Sequence, residues 1–99
     1  MNKEDILEFI RKNRGYFASH FHIKKIGLFG SFARGESTSK SDIDILIELE
    51  ENTPDIFDLN RDLRHYFERE FHRPVDVARE KYLKPYSREE ILNETIYAQ

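Results

Sequence analysis

The sequence predicts an α/β (α+β) layer fold built around one small sheet. Three observations predict it. Short isoleucine- and valine-rich runs of strand length alternate with longer runs whose apolar residues recur at steps of three and four. Helix-start and helix-stop residues separate these runs. The chain, 99 residues without an internal repeat or low-complexity stretch, has the length of one domain, taken as residues 1–99.

In order, KEDILEFIRKNR carries Ile6, Leu7, Phe9 and Ile10 at helical spacing. Glu4 and Asp5 come early and Lys12 and Arg14 late, which suits the helix dipole. Gly15 is expected to end or interrupt this helix, with a further turn over Tyr16 to Phe21. Lys24 to Phe29 (KKIGLF) reads as a short strand that stops at Gly30. The polar, glycine-bounded SFARGESTSKS reads as a turn of helix and then a loop. Ile43 to Leu49 (IDILIEL) is a second, largely buried strand. Thr53-Pro54-Asp55 offers a hydroxyl N-cap, a proline at the first helical position and an acid just inside. Behind it, Ile56, Leu59, Leu63, Phe67 and Phe71 form an apolar stripe. Arg73-Pro74 closes that helix, and Val75 to Ala78 is a third, very short strand. Ser87 and Glu90 have capping-box spacing, so a last helix is expected to run towards Ala98.

Composition narrows the function. Hydrophobic residues are 38% and charged residues 35%, enough for a small core under a heavily charged surface. The formal charge of −3 argues against holding nucleic acid by bulk basic charge. With no cysteine there is neither a disulfide framework nor a thiolate metal site. No apolar run approaches the ~20 residues of a membrane span, and MNKEDILEF lacks a signal peptide's apolar stretch. A cytoplasmic protein is expected. His20, His22, His65 and His72 share no metal-ligand spacing. Phe57, Tyr66, Phe67 and Phe71 read mostly as helix core, with Tyr66 outside the apolar stripe; Lys81 to Tyr86 suits core, an adenine pocket or a partner surface.

The chemistry gathers at two places, Gly30-Ser31 after one strand and Asp42-Ile43-Asp44 at the start of the next, with ten residues between Ser31 and Asp42. Residues two apart in a strand share a face, ~6.5–7 Å apart. Asp42 and Asp44 therefore present two carboxylates side by side while Ile43 and Ile45 point into the core. Two like charges held this close repel, and one tends to protonate unless a cation lies between them. Oxygen-only ligands suit Mg²⁺ or Mn²⁺. Asp76, set between Val75 and Val77, is placed to complete the same cluster. At Gly30-Ser31 the backbone can approach a phosphate closely, and Arg34 one turn on can neutralise a phosphate oxygen. Ser41 either bonds a carboxylate or shapes the loop. The parts together describe metal-assisted transfer on a nucleoside triphosphate.

GSFARGESTSKSDIDILIEL resembles the nucleotidyltransferase signature of the polymerase-β-like superfamily, most closely its minimal nucleotidyltransferase (MNT) branch. Gly30, Ser31, Arg34, Gly35, Ser41, Asp42 and Asp44 fall on that motif, and Asp76 in PVDVA fits the third acid. The resemblance implies a small mixed sheet of three to four strands flanked by helices. It implies ATP as donor, Gly30 and Ser31 on the triphosphate with Arg34 and Ser41 beside them, and two Mg²⁺ held by Asp42, Asp44 and Asp76. Asp76 would also orient or activate the acceptor hydroxyl. Family members act as antitoxins that transfer AMP to a tyrosine of a partner HEPN ribonuclease toxin. A chain of 99 residues leaves little for an acceptor domain, so the acceptor is expected to be a protein that brings its own recognition surface. The competing readings are nucleotidyl transfer to a small antibiotic-like molecule and an antitoxin that masks the toxin by contact alone.

Overall fold

The computed structural model describes residues 1–98. Helices α1 (Lys3–Lys12) and α2 (Arg14–Phe21) precede strand β1 (Ile23–Phe29). The short helix α3 (Gly30–Arg34) leads to β2 (Ile43–Leu49), the long helix α4 (Ile56–Phe71) and β3 (Val75–Arg79). A 3₁₀ turn at Glu80–Tyr82, helix α5 (Pro85–Glu94) and β4 (Ile96–Tyr97) complete the described chain. The sheet is mixed, in the order β3-β2-β1-β4. β1 runs antiparallel to β2 and β4, and β2 runs parallel to β3 through the α4 crossover.

One face of the sheet carries the core. Ile26 and Leu28 of β1, Ile43, Ile45 and Ile47 of β2 and Val75 of β3 pack against Ile6, Leu7 and Ile10 of α1, Phe17 of α2, and Leu63, Phe67 and Phe71 of α4. The α4 stripe lies where its spacing puts it, with Ile56 and Leu59 partly buried at its start. Phe67 stacks on Phe71 with ring centroids 5.7 Å apart and meets Phe17 at 5.3 Å. On the opposite face, Asp44, Leu46 and Glu48 alternate with the core residues of β2.

Several boundaries differ from the sequence reading. α1 starts in a capping box: the Asp5 N–H donates to Asn2 Oδ1 at 3.1 Å and the Asn2 N–H donates to Asp5 Oδ2 at 2.9 Å. It ends at Asn13, and Gly15 lies inside α2 rather than breaking a helix. α4 has no hydroxyl cap. Asp55 precedes it in the left-handed region (φ 51°), and the Thr53 hydroxyl instead donates to the Glu50 carbonyl at 2.5 Å. The Ser87–Glu90 capping box does not form, because Pro85 starts α5 two residues earlier and leaves Ser87 inside the first turn, donating to the Lys84 carbonyl. α5 stops at Glu94, where the chain turns into β4 instead of continuing as helix to Ala98. Phe57, read as core, is 82% exposed; Tyr82 and Tyr86 are exposed as well.

The contrast between two phenylalanines of α4 gives a direct test. Phe67→Ala should cost about 3–5 kcal/mol in urea denaturation, because its ring is fully buried against two other rings. Phe57→Ala should change stability by no more than about 0.5 kcal/mol.

Candidate active site

The parallel register between β2 and β3 pairs Asp44 with Asp76. Paired residues of parallel strands share a face, and neighbouring strands lie ~4.8 Å apart. Asp42 stands two residues before Asp44, at the entrance to β2. Asp42 and Asp76 are exposed and Asp44 is half-buried. Burial pushes the Asp44 carboxyl up to about 6, and the charges of Asp76, Asp42 and Glu94 push the same way, with Arg34 opposing. The three acids singled out from the sequence thus act on one another at a single place. Among the described residues, no three His, Cys, Asp or Glu side chains converge tightly enough to hold an ion by themselves. An all-oxygen donor set whose central carboxyl is already driven towards protonation fits a hard divalent cation, which would relieve the repulsion.

The backbone turn at Gly30 adjoins the acids. Gly30 has φ +76°, and a β-carbon there would run into the Asp44 carboxylate. Both the left-handed angle and the close approach require glycine. α3 packs against β1 and β2 and ends at Gly35, also left-handed at φ 73°. Ser31 is the second residue of α3 rather than its N-cap, and its hydroxyl has no partner among the described residues.

Two candidates are engaged otherwise than the sequence reading placed them. Arg34 bridges two carboxylates: Nε donates to Glu36 Oε1 and Nη1 to Glu94 Oε2, each at 2.6 Å. Both partners hold the guanidinium charged, Glu36 more strongly. Of the two roles open to Ser41, the structure shows loop shaping: its hydroxyl accepts from the Thr38 N–H at 2.8 Å, and its carbonyl accepts from Arg73 Nη1 at 2.9 Å.

Glu94 was not among the candidates. Its Oε2 accepts from the Gly30 N–H at 3.2 Å as well as from Arg34. The signal in the sequence was slight: an acid in the last turn of a helix, where a base complements the dipole better.

A backbone turn beside a pair of carboxylates on neighbouring strands is chemistry suited to a phosphate and a divalent cation. The nucleotidyltransferase domain family matches residues 6–98, and the chain belongs to that family. It is a nucleotidyltransferase. A Methanocaldococcus jannaschii protein assigned as a protein adenylyltransferase is 37% identical over 94 residues, covering 94% of each chain. The protein adenylyltransferase MntA of Thermococcus cleftensis is 31% identical over 94 residues, covering 95% of this chain and 93% of that one. A solved structure assigned as a minimal nucleotidyltransferase superposes with a TM-score of 0.77 at 30% identity, covering 97% of this chain and 95% of the other. A chain of the Shewanella oneidensis complex of tri-AMPylated HEPN toxin with MNT antitoxin shares the fold, with a TM-score of 0.64 at 14% identity, covering 94% and 71%.

The Asp44 carboxyl predicts a pH signature. Its value in the folded protein lies above its ordinary one, so the folded state binds that proton more tightly than the unfolded state. The stability it contributes is full below about pH 4 and is lost as pH rises to about 6. Asp44→Asn removes the loss. In EDTA, thermal melts should show the variant more stable than wild type at pH 7.5, with the difference vanishing below pH 4.

Proposed function

We propose that this chain is a Mg²⁺-dependent protein adenylyltransferase that moves AMP from ATP to a tyrosine hydroxyl of a HEPN-family toxin, acting in the cytoplasm as its antitoxin. The observation that carries the reading is Asp44 paired with Asp76 directly beside the Gly30 turn. The near full-length relatives that bear the adenylyltransferase name support it, as does the fold shared with the MNT–HEPN complex.

In this reading Gly30 and Ser31 hold the triphosphate by a backbone N–H and a hydroxyl, with Arg34 balancing its charge. Asp42, Asp44 and Asp76 would hold Mg²⁺, which supplies charge stabilisation for the attacking oxygen and the leaving pyrophosphate. The acceptor oxygen bonds to the α-phosphorus as the bond to pyrophosphate breaks. In the same reading Asp76, which is exposed on the edge strand β3, would orient the hydroxyl and take its proton. A groove of about 630 Å³ opens beside Asp76, bounded by Phe57, Arg61 and Arg64 of α4. An exposed phenylalanine lining one groove with two arginines supports a protein acceptor over a small molecule.

Incubation with labelled ATP, Mg²⁺ and a HEPN protein encoded beside this chain should label a tyrosine of that protein. Asp44→Asn should lower the rate about a hundredfold or more. Mg²⁺ should also raise the melting temperature of wild type and leave an Asp42→Asn, Asp44→Asn double variant unmoved. Absence of label transfer by wild type, or full toxin neutralisation by the double variant, would overturn the transfer reading; the latter would leave masking by contact.

A further inference from the structure

The donors that the proposed function assigns to a phosphate are held by a carboxylate of the chain itself. Glu94 Oε2 accepts from the Gly30 N–H at 3.2 Å and from Arg34 Nη1 at 2.6 Å, and its side chain is only 16% exposed. Two features make this placement costly. Glu94 ends α5, where the helix dipole opposes an acid and the last turn carries no base. It also adds its charge to those of Asp42 and Asp76 around Asp44. Among the described residues, the Gly30 amide and Arg34 offset that cost.

The backbone just beyond Glu94 is fixed. Ile96 and Tyr97 pair with Leu28 and Gly27 of β1, and the Ala98 N–H donates to the Ile26 carbonyl at 2.9 Å. Thr95 lies so close to Gly27 that a β-carbon on the glycine would stand 2.7 Å from its methyl. The glutamate side chain, by contrast, has rotatable bonds and keeps part of its surface exposed. Its carboxylate can leave the cradle while the strand stays in place.

We propose that Glu94 is the resident anion of the cradle: it holds the Gly30 amide and Arg34 in position while no nucleotide is present, and ATP displaces it. The inference rests on the reading of Gly30 and Arg34 as the phosphate-binding side of the site. Glu94 is then a positioning residue that sets nucleotide affinity by exchange. A polyphosphate, with more charge and more acceptor oxygens than one carboxylate, takes over both donors. Adenosine, with no phosphate, does not compete.

The test uses the full chain in EDTA, with ATP and adenosine as probes in calorimetry. Glu94→Gln should bind ATP about fivefold tighter than wild type, the scale of one exchanged hydrogen bond, with adenosine binding unchanged. Glu90→Gln, which removes an exposed acid from the same helix, should leave ATP affinity as it is; a matching gain there would mean general charge repulsion and overturn the proposal. In NMR of wild type, saturating ATP should move both the Gly30 amide and the Glu94 side-chain carboxyl resonance. A stationary Glu94 signal with a moving Gly30 signal, or no gain from Glu94→Gln or Glu94→Asp, would overturn the proposal and leave the cradle reading intact. If ATP binds neither wild type nor the variants, the cradle reading falls and this inference with it.

Discussion

Two carboxylates paired across adjacent strands cannot both be comfortable as anions, and the arrangement around them follows from that conflict. Asp44 meets Asp76 because β2 and β3 are parallel and in one register. Parallel neighbours need a crossover, and here α4 provides it. The α4 residues Leu63, Phe67 and Phe71 lock the helix onto Ile43, Ile45 and Val75 on the core face. A slip of one residue in β3 would turn Val75 outward and Asp76 inward, so the hydrophobic pattern forbids it. Burial of valines and isoleucines on one side thereby fixes a costly pairing of charges on the other.

The Gly30 turn depends on the same pairing. Its backbone lies against Asp44 so closely that any side chain would collide with the carboxylate. The turn and the acids can adjoin only with glycine at that position and only with Asp44 facing away from the core. Arg34 and Glu94 then balance charge around this junction, one opposing the rise of the Asp44 carboxyl and the other adding to it.

Much of this was legible in the sequence, because it rests on local periodicity. The β2 limits, the α4 stripe and the short helix after Gly30 all follow from spacing, and strand alternation sets Asp44 and Asp76 opposite their core-facing neighbours, while their meeting needs the parallel register of β2 and β3. What was not legible depended on context. The capping residues of α4 and α5 misled because Asp55 takes a left-handed angle and Pro85 starts its helix early. The fourth strand is two residues long, too short for alternation to register, and exists because β1 has a free edge to pair with. Glu94 escaped because its partners lie 64 and 60 residues away in the chain, a separation no local pattern reports.

The two faces of the sheet therefore divide the labour. The core face holds nearly every fully buried large side chain, drawn from α1, α2 and α4. The opposite face is covered thinly: α5 has no buried residue, and β4 contributes only two residues to the sheet. Leu46 is the exception, buried on that side and outside the main core. A thin cover suits a site whose electrostatics are unfavourable when empty, because the stability lost there is a small share of what the other face supplies. It also keeps the acids of the candidate site apart from the core, since the residues that pack the sheet and those acids project from opposite sides of the same strands.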